Sequence, residues 1–326
     1  MRVAILDDYQ RVALEMADWS TLPADTQISV FSDHLASADA VVERLRDFEI
    51  VVAMRERTPF DRGILDRLPN LQLLVTTGMW NASIDLDAAT NLGILVCGTG
   101  SLGHSTAELT WGLILALVRN IPREDAAIRQ GHWQTTIGIS LRGKVLGILG
   151  LGRLGSEVAT IGAAFGMSII AWSQNLVAER AAQFGATLVT KDELFARSDI
   201  LSIHLKLSDR TRGLVDAREI GLMKPTSYLI NTSRGPVVNE VALIQALKAR
   251  AIAGAGLDVF DHEPLPPDHP FHRLDNTVMT PHLGYVTKEG YQIYYQDIIE
   301  DIATYLFDQP VRVLNPSMLE KGGYKK

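Results

Sequence analysis

Three reactive side chains of this chain fall at one kind of place: Arg234 in "LINTSRGPVVNE", Glu263 in "GLDVFDHEPL" and His282 in "TPHLG". Each stands at or just beyond the C-terminal end of a stretch that reads as a buried strand, where open α/β sheets hold ligands. Singly, each has an ordinary alternative. An arginine after a strand is commonly solvated, and a His or Glu in a proline-rich loop is commonly bland. As a set they fit one chemistry. An arginine fork can take up a carboxylate and polarise the ketone oxygen beside it. A protonated imidazole can neutralise the alkoxide that hydride addition creates. A carboxylate on the far ring nitrogen would fix the tautomer and favour the imidazolium. Reduction of a 2-oxo acid requires these functions, and in reverse the pair serves as base.

Hydride needs a carrier, and "VLGILGLGRLGSEVATIGAAFG" offers a place for one. It contains Gly150-x-Gly152-x-x-Gly155 between a strand and a helix. Gly150 suits a tight turn, Gly152 close approach of backbone to a pyrophosphate, and Gly155 close helix–strand packing. The helix start, with Arg153 and Leu154, would turn free N–H groups and a partial positive charge toward the phosphates. A glycine turn chosen only for packing is the alternative. An NAD site usually has an acid at the end of the next strand for the ribose 2′-hydroxyl. Here the chain reads Ala171-Trp172-Ser173-Gln174-Asn175, with neither acid nor arginine. Ser173, Gln174 and Asn175 are neutral donors, and Arg180 or Lys206 could add charge if the fold brings either near. The cofactor is therefore expected to be NAD or NADP, with NADP at least as credible.

The elements that would position these residues follow from patterning. "VAIL" (Val3–Leu6), "ISVF" (Ile28–Phe31), "IVVA" (Ile50–Ala53) and "LQLLVTT" (Leu71–Thr77) read as buried strands, with helix-like stretches such as Ala38–Phe48 between them. A second series starts at Gly143–Gly150 and continues through Ser168–Trp172, Asp199–Leu205, Ser227–Ser233, Ala253–Val259 and Thr277–Pro281. Continuous apolar strands alternating with helices imply parallel sheets covered on both faces. Two α/β domains follow, with helices near 105–120 and after 284 as crossovers. Ser105, followed three residues on by Glu108, predicts a capping box at the first of these.

These motifs resemble the D-isomer-specific 2-hydroxy acid dehydrogenases over nearly the whole chain. The resemblance is carried by "TTGMWNASIDLDAATNLGILV", "STAELTWGLILAL", the glycine motif, "MKPTSYLINTSRGPVVNEVALIQAL", "GAGLDVFDHEPL" and "TPHLG". It implies that Arg234, Glu263 and His282 are the catalytic set and that Asp258 orients the nicotinamide. Thr77, Gly78 and Met79 would form the substrate-facing backbone loop. Thr232 and Thr106 would border the cofactor, and His204 its adenosine half, a satisfied structural histidine being the alternative there. Arg55 matches an arginine that contacts substrate anions in phosphoglycerate-type members, with an ordinary surface charge as its alternative. The implied architecture is two doubly wound parallel-sheet domains. Residues 1–103 with 285–326 would form a flavodoxin-like substrate domain, and 104–284 an inserted Rossmann-type NAD(P)-binding domain, with the site in a hinged cleft. Members usually form homodimers through the cofactor domain. Two departures concern the pocket: "VCGTGSLG" (Val96–Gly103) replaces a common "NxPG", and position 80 is a bulky Trp.

Composition narrows the remaining classes. The 326 residues are 47% hydrophobic and 21% charged with a formal net charge of −7, and no long run of Lys or Arg appears. That disfavours nucleic acid as a partner. The apolar run Leu113–Val118 is too short to span a bilayer, and the N-terminus "MRVAILDDYQ" is too short for a signal-peptide core. The single cysteine, Cys97, suits a reducing compartment and reads as a small core residue, so a cytoplasmic protein is expected. His262, His269, His272 and His282 crowd one stretch, but four intervening prolines work against a paired-helix ligand arrangement, and no metal is expected. Glyoxylate or hydroxypyruvate is the first substrate guess. The alternatives are oxidation of phosphite or another anion on the same fold, or a non-catalytic NAD(H)-sensing interaction protein.

Overall fold

The computed structural model describes residues 1–320. Backbone contacts divide the chain into two units: residues 1–102 together with the segment from Thr287 onward, and Gly103–Val286. The joins expected from sequence lay after residues 103 and 284. Residues 321–326 of the expected first domain lie outside the described residues.

In the first unit, β1 (Arg2–Ile5), β2 (Gln27–Val30), β3 (Ile50–Ala53), β4 (Leu73–Thr76) and β5 (Leu95–Gly98) form one parallel sheet in the order β2-β1-β3-β4-β5. β3 and β4 are buried at every position, as strands covered on both faces must be. α1 (Ala38–Leu45), α2 (Arg62–Leu65) and α3 (Leu86–Asn91) supply the crossovers. Asp61 and Asp85 start α2 and α3 by accepting bonds from Ile64 and Ala88 backbone N–H groups. Strand order reverses between β1 and β3, so their C-terminal ends flank the switch point of this sheet.

The second unit runs through α4 (Ser105–Val118), α5 (Ile121–Arg129), β6 (Val145–Leu149), α6 (Arg153–Ala164), β7 (Ser168–Trp172), α7 (Ala178–Ala182), β8 (Ala186–Leu188), α8 (Lys191–Arg197), β9 (Ile200–Ile203), α9 (Ala217–Leu222), β10 (Tyr228–Asn231), α10 (Glu240–Lys248), β11 (Gly254–Leu257) and β12 (Thr277–Met279). Its seven strands are all parallel, in the order β12-β11-β10-β9-β6-β7-β8. One face is covered by a core including Phe195, Leu243 and Leu247, the other by Trp111, Ile114 and Val158 of α4 and α6. Strands β10, β11 and β12 lie side by side, so the loops bearing Arg234, Glu263 and His282 leave neighbouring strand ends.

The capping box at Ser105 does not form. His104 occupies the cap position without a side-chain bond, and Ser105 lies inside the helix. The reason is tertiary: the Ser105 hydroxyl donates instead to the Gly284 carbonyl at 2.9 Å. After β12 the chain re-enters the first unit as α11 (Lys288–Leu306), packed on β4 and β5, and ends its described part in α12 (Ser317–Glu320). Asn315 pins this return to β5, accepting from Val96 N–H and donating to the Ile94 carbonyl.

Candidate active site

In the turn after β6, Gly150 and Gly155 make the tight turn and the close packing expected of them. Gly150 sits at φ 102°, and a Cβ there would come within 2.7 Å of the His204 carbonyl oxygen. A Cβ on Gly155 would approach the Gly150 carbonyl oxygen to 2.2 Å, so this glycine lets α6 pack on the turn. Gly152 differs, because a Cβ there meets nothing within 4 Å. Folding does not require glycine at that point, whereas close approach of a ligand does. Gly152 also caps α6 without a side-chain bond, leaving the N–H groups at the helix start, where Arg153 and Leu154 lie, available to phosphate. The turn therefore fits a dinucleotide. Beyond β7, Ser173 is partly exposed and Gln174 and Asn175 are exposed, with no acid among them. Arg180 is turned toward Gln183 and the ring of Phe184. His204 bonds through Nε2 to the Ser202 hydroxyl at 2.8 Å, and loss of water pulls its imidazole down to about 4, so it is neutral near pH 7.

At the other end of the sheet, His282 and Glu263 meet. His282 Nδ1 lies 2.6 Å from Glu263 Oε2, with both side chains partly exposed. The second oxygen of Glu263 accepts from the Phe260 N–H at 2.9 Å, which fixes the carboxylate plane. The edge of Tyr285 packs on the imidazole at 5.4 Å between ring centres. Arg234 follows β10, and its guanidinium donates to the Ser233 carbonyl while its own carbonyl accepts from Asn231 Nδ2. The next residue is Gly235, where a Cβ would strike the Phe260 carbonyl at 2.1 Å. A glycine there lets the arginine loop lie directly against the loop that carries Glu263.

Asp258 has the largest unforeseen role. It is fully buried, and burial raises its carboxyl, opposed by the bonds it accepts and by His282. Oδ1 accepts from the Thr280 hydroxyl and the Leu283 N–H, both at 2.6 Å, and Oδ2 from the Gly284 N–H at 2.9 Å. Its carbonyl accepts the His282 N–H at 2.8 Å. The carboxylate expected to orient a nicotinamide thus ties down the histidine loop. Thr106 does similar work, its hydroxyl donating to the Gly284 carbonyl at 2.9 Å, and Thr232 bonds Thr110 of α4 at 2.8 Å. Nothing in the spacing of Ser105 and Thr106, some 180 residues before Gly284, signals these anchors. The neighbouring histidines are occupied elsewhere: His269 pairs with Glu240 at 3.0 Å and His272 with the Pro266 carbonyl at 3.1 Å.

In the first unit, Thr77, Gly78 and Met79 follow β4. Arg55 packs on this loop, its N–H donating to Thr77 Oγ1 at 2.9 Å and its guanidinium to the Thr77 carbonyl at 3.1 Å. Gly78 N–H donates to Thr99 Oγ1 at 2.8 Å. Met79 and Trp80 are exposed at the rim. Arg55 lies 3.7 Å from Glu56, so it is a buttress of the loop rather than a simple surface charge.

Fold and turn define a protein of two parallel-sheet α/β units, the second of which is fitted to bind a dinucleotide. Comparison with known proteins gives the family. Residues 111–284 match the model of the D-isomer specific 2-hydroxyacid dehydrogenase NAD binding domain. A glyoxylate reductase from Aeropyrum pernix is 44% identical over 239 residues, 70% of this chain and 71% of that protein. A D-3-phosphoglycerate dehydrogenase from Archaeoglobus fulgidus is 37% identical over 85% of this chain, which spans only 53% of that relative. Among solved structures, a phosphoglycerate oxidoreductase from Vibrio cholerae superposes with a TM-score of 0.90 at 37% identity, covering 94% of this chain and 99% of that one. The chain belongs to the D-isomer specific 2-hydroxyacid dehydrogenase family, and is an oxidoreductase that works with NAD or NADP.

Proposed function

We propose that this protein reduces a small 2-oxo acid, glyoxylate or hydroxypyruvate in the first instance, to the D-2-hydroxy acid. The observation that carries this reading is the 2.6 Å contact between His282 Nδ1 and Glu263 on loops leaving adjacent strand ends. With Nδ1 held by Glu263, the proton to be donated sits on Nε2. Arg234 takes the substrate carboxylate and polarises the ketone oxygen. A reduced nicotinamide, when bound, would supply the hydride. His282 gives its proton to the oxygen as negative charge grows there, and Glu263 steadies the imidazolium before that transfer. The Thr77–Met79 loop is the substrate-facing backbone of the same reading, with its Thr77 N–H given to the Ala53 carbonyl and its Gly78 N–H to Thr99. The neutral Ser173–Asn175 segment supports NADP at least as well as NAD, since no carboxylate there repels a 2′-phosphate.

A homodimer formed through the second unit belongs to the same reading. α5 buries none of its residues, and Trp133 and Ile137 just beyond it are 76% and 96% exposed, an apolar surface that a second copy would cover. The cytoplasm, where a lone thiol stays reduced, is the expected compartment. The test is to mix purified protein with NADPH, and separately NADH, against glyoxylate, hydroxypyruvate, pyruvate and phenylpyruvate, following loss of reduced cofactor. Turnover with one pair supports the class and names the coenzyme. Silence across the panel with tight cofactor binding would reject these substrates in favour of an unusual one or of a sensing role. Light scattering on the same sample reads the dimer.

A further inference from the structure

Glu263 stands on a long excursion of the second unit, between β11 and β12. The excursion is buried at Phe260 and Phe271, whose ring centres lie 6.0 Å apart. Asp261–His269 between them forms neither helix nor strand and is exposed or partly exposed. A side chain from outside holds this stretch at both ends. Glu240, the first residue of α10, accepts the Asp261 N–H through Oε2 at 3.2 Å, and its Oε1 lies 3.0 Å from His269 Nε2. His269 Nδ1 accepts from the Phe271 N–H at 3.4 Å, so the ring proton stands on Nε2 and donates to Glu240. Both side chains of this pair are largely withdrawn from water, at 15% and 16% exposure. Other charges surround it: burial and then Glu240 raise the Asp261 carboxyl, opposed by His262, Arg212 and His269.

We propose that Glu240 is a positioning residue for the acid–base pair: by gripping the excursion at Asp261 and again at His269, it sets where the Glu263 carboxylate meets His282. The inference rests on the reading of Glu263 and His282 as that pair. Three features carry it. The two grips bracket Glu263 in the chain, one on each side. Both come from one carboxylate whose backbone is fixed at the start of α10, where Asn239 accepts the Ala242 N–H, so the two ends of the stretch are referred to the helix. The peptide gripped at Asp261 is also the one against which Gly235 lies, since a Cβ there would come within 2.6 Å of the Asp261 nitrogen. The same bond thus backs the contact between the Arg234 and Glu263 loops. A contact of 2.6 Å between Glu263 and His282 is steep in distance and angle. A stretch with no ladder of its own leaves that geometry to its tethers.

The test reads two signals from the full chain. The first is the downfield proton resonance of His282 Nδ1–H, identified as the one lost in both Glu263→Ala and His282→Ala. The second is kcat and KM on whichever of glyoxylate, hydroxypyruvate, pyruvate and phenylpyruvate wild type reduces fastest, with a fluorescence titration of NADPH and NADH. Glu240→Ala should move the resonance upfield or broaden it away and lower kcat about 10- to 100-fold, the scale of a misplaced catalytic group. KM and cofactor affinity should stay within about twofold, because the binding groups are untouched. Glu240→Gln keeps one acceptor oxygen and should recover part of both signals. His269→Ala removes one grip without touching α10, should have an intermediate effect, and decides the matter if Glu240→Ala does not fold. A wild-type resonance in Glu240→Ala and His269→Ala, or an unchanged kcat in an active Glu240→Ala, overturns the inference. If Glu263→Ala and His282→Ala themselves turn over like wild type, the functional reading falls, and this inference with it. With none of the four acids reduced, the resonance alone decides.

Discussion

His282 holds a backbone conformation that side chains rarely adopt, with φ 54°. A non-glycine residue there costs on the order of 1–2 kcal/mol. Bonds from its own N–H to the Asp258 and Thr280 carbonyls, and from the next two N–H groups to the Asp258 carboxylate, offset that cost. The strained turn aims the imidazole at Glu263. Replacing His282 by Ala should cut turnover about 10²- to 10⁴-fold while a fluorescence titration finds reduced cofactor still bound; undiminished turnover would remove the residue from the mechanism. Asp258→Asn should act differently. Its amide turns a donor toward the N–H and O–H donors of the loop, so the melting temperature should fall along with kcat, by an amount equivalent to about 1–3 kcal/mol for a buried mismatch. A melting curve matching wild type would show that the loop does not depend on the carboxylate.

At the scale of elements, the turn from β6 into α6 separates what folding needs from what binding needs. Gly155→Ala would drive a methyl into the Gly150 carbonyl, and overpacking of this kind costs roughly 1–3 kcal/mol. That variant should melt lower. Gly152→Ala has room in the folded chain, so it should melt like wild type and yet bind NADPH and NADH about tenfold or more weakly, because the methyl lies where backbone and pyrophosphate approach. Equal effects of both substitutions on melting would contradict this division. The same turn shows how far patterning carries: strand, glycines and helix were all legible because their logic is local. β8 (Ala186–Leu188) and β5 were less so. Other strands as short as these were legible; β5 and β8 stand at sheet edges and are defined by pairing with the single neighbour each has, β4 and β7.

The first unit is built from two distant parts of the chain, and its return segment carries a buried acid. Asp301 on α11 is fully buried, with Oδ1 accepting from Arg312 Nε at 3.0 Å and Oδ2 lacking a hydrogen-bond partner among the described residues. Burial, opposed by Arg312 and aided by Asp297 and Glu300, pushes its carboxyl up to about 8. An unfolded aspartate titrates near 3.9. Between roughly pH 4 and 8 the folded chain therefore holds a proton that the unfolded chain has released. Stability from this group is whole below that window and lost as pH rises through it, by at most about 1.4 kcal/mol per pH unit. Asp301→Asn keeps the acceptor for Arg312 and removes the titration, so its urea midpoint should gain on wild type between pH 5 and pH 9. A constant gap across that range would mean that the carboxyl titrates normally. The same burial, with Asp301 beside it, holds the Cys97 thiol far above its usual range, which fits a packing role and not a nucleophile.

The sequence alone determined the class of fold and the dinucleotide turn and marked out Arg234, Glu263 and His282 as a candidate set, because each rests on short-range patterns: apolar runs, glycine spacing and strand ends. Only the tertiary structure decided how those residues are held. Asp258, Ser105 and Thr106 anchor the histidine loop through bonds spanning up to 179 residues. Ser105 surrendered its expected cap because a buried carbonyl at Gly284 had a stronger claim on its hydroxyl. Tyr291 meets Gln10, near the start of the chain, only because α11 returns to the first strands. Such anchors have no period or spacing. They arise where folding leaves a polar group buried and the nearest donor, however distant in the chain, must satisfy it.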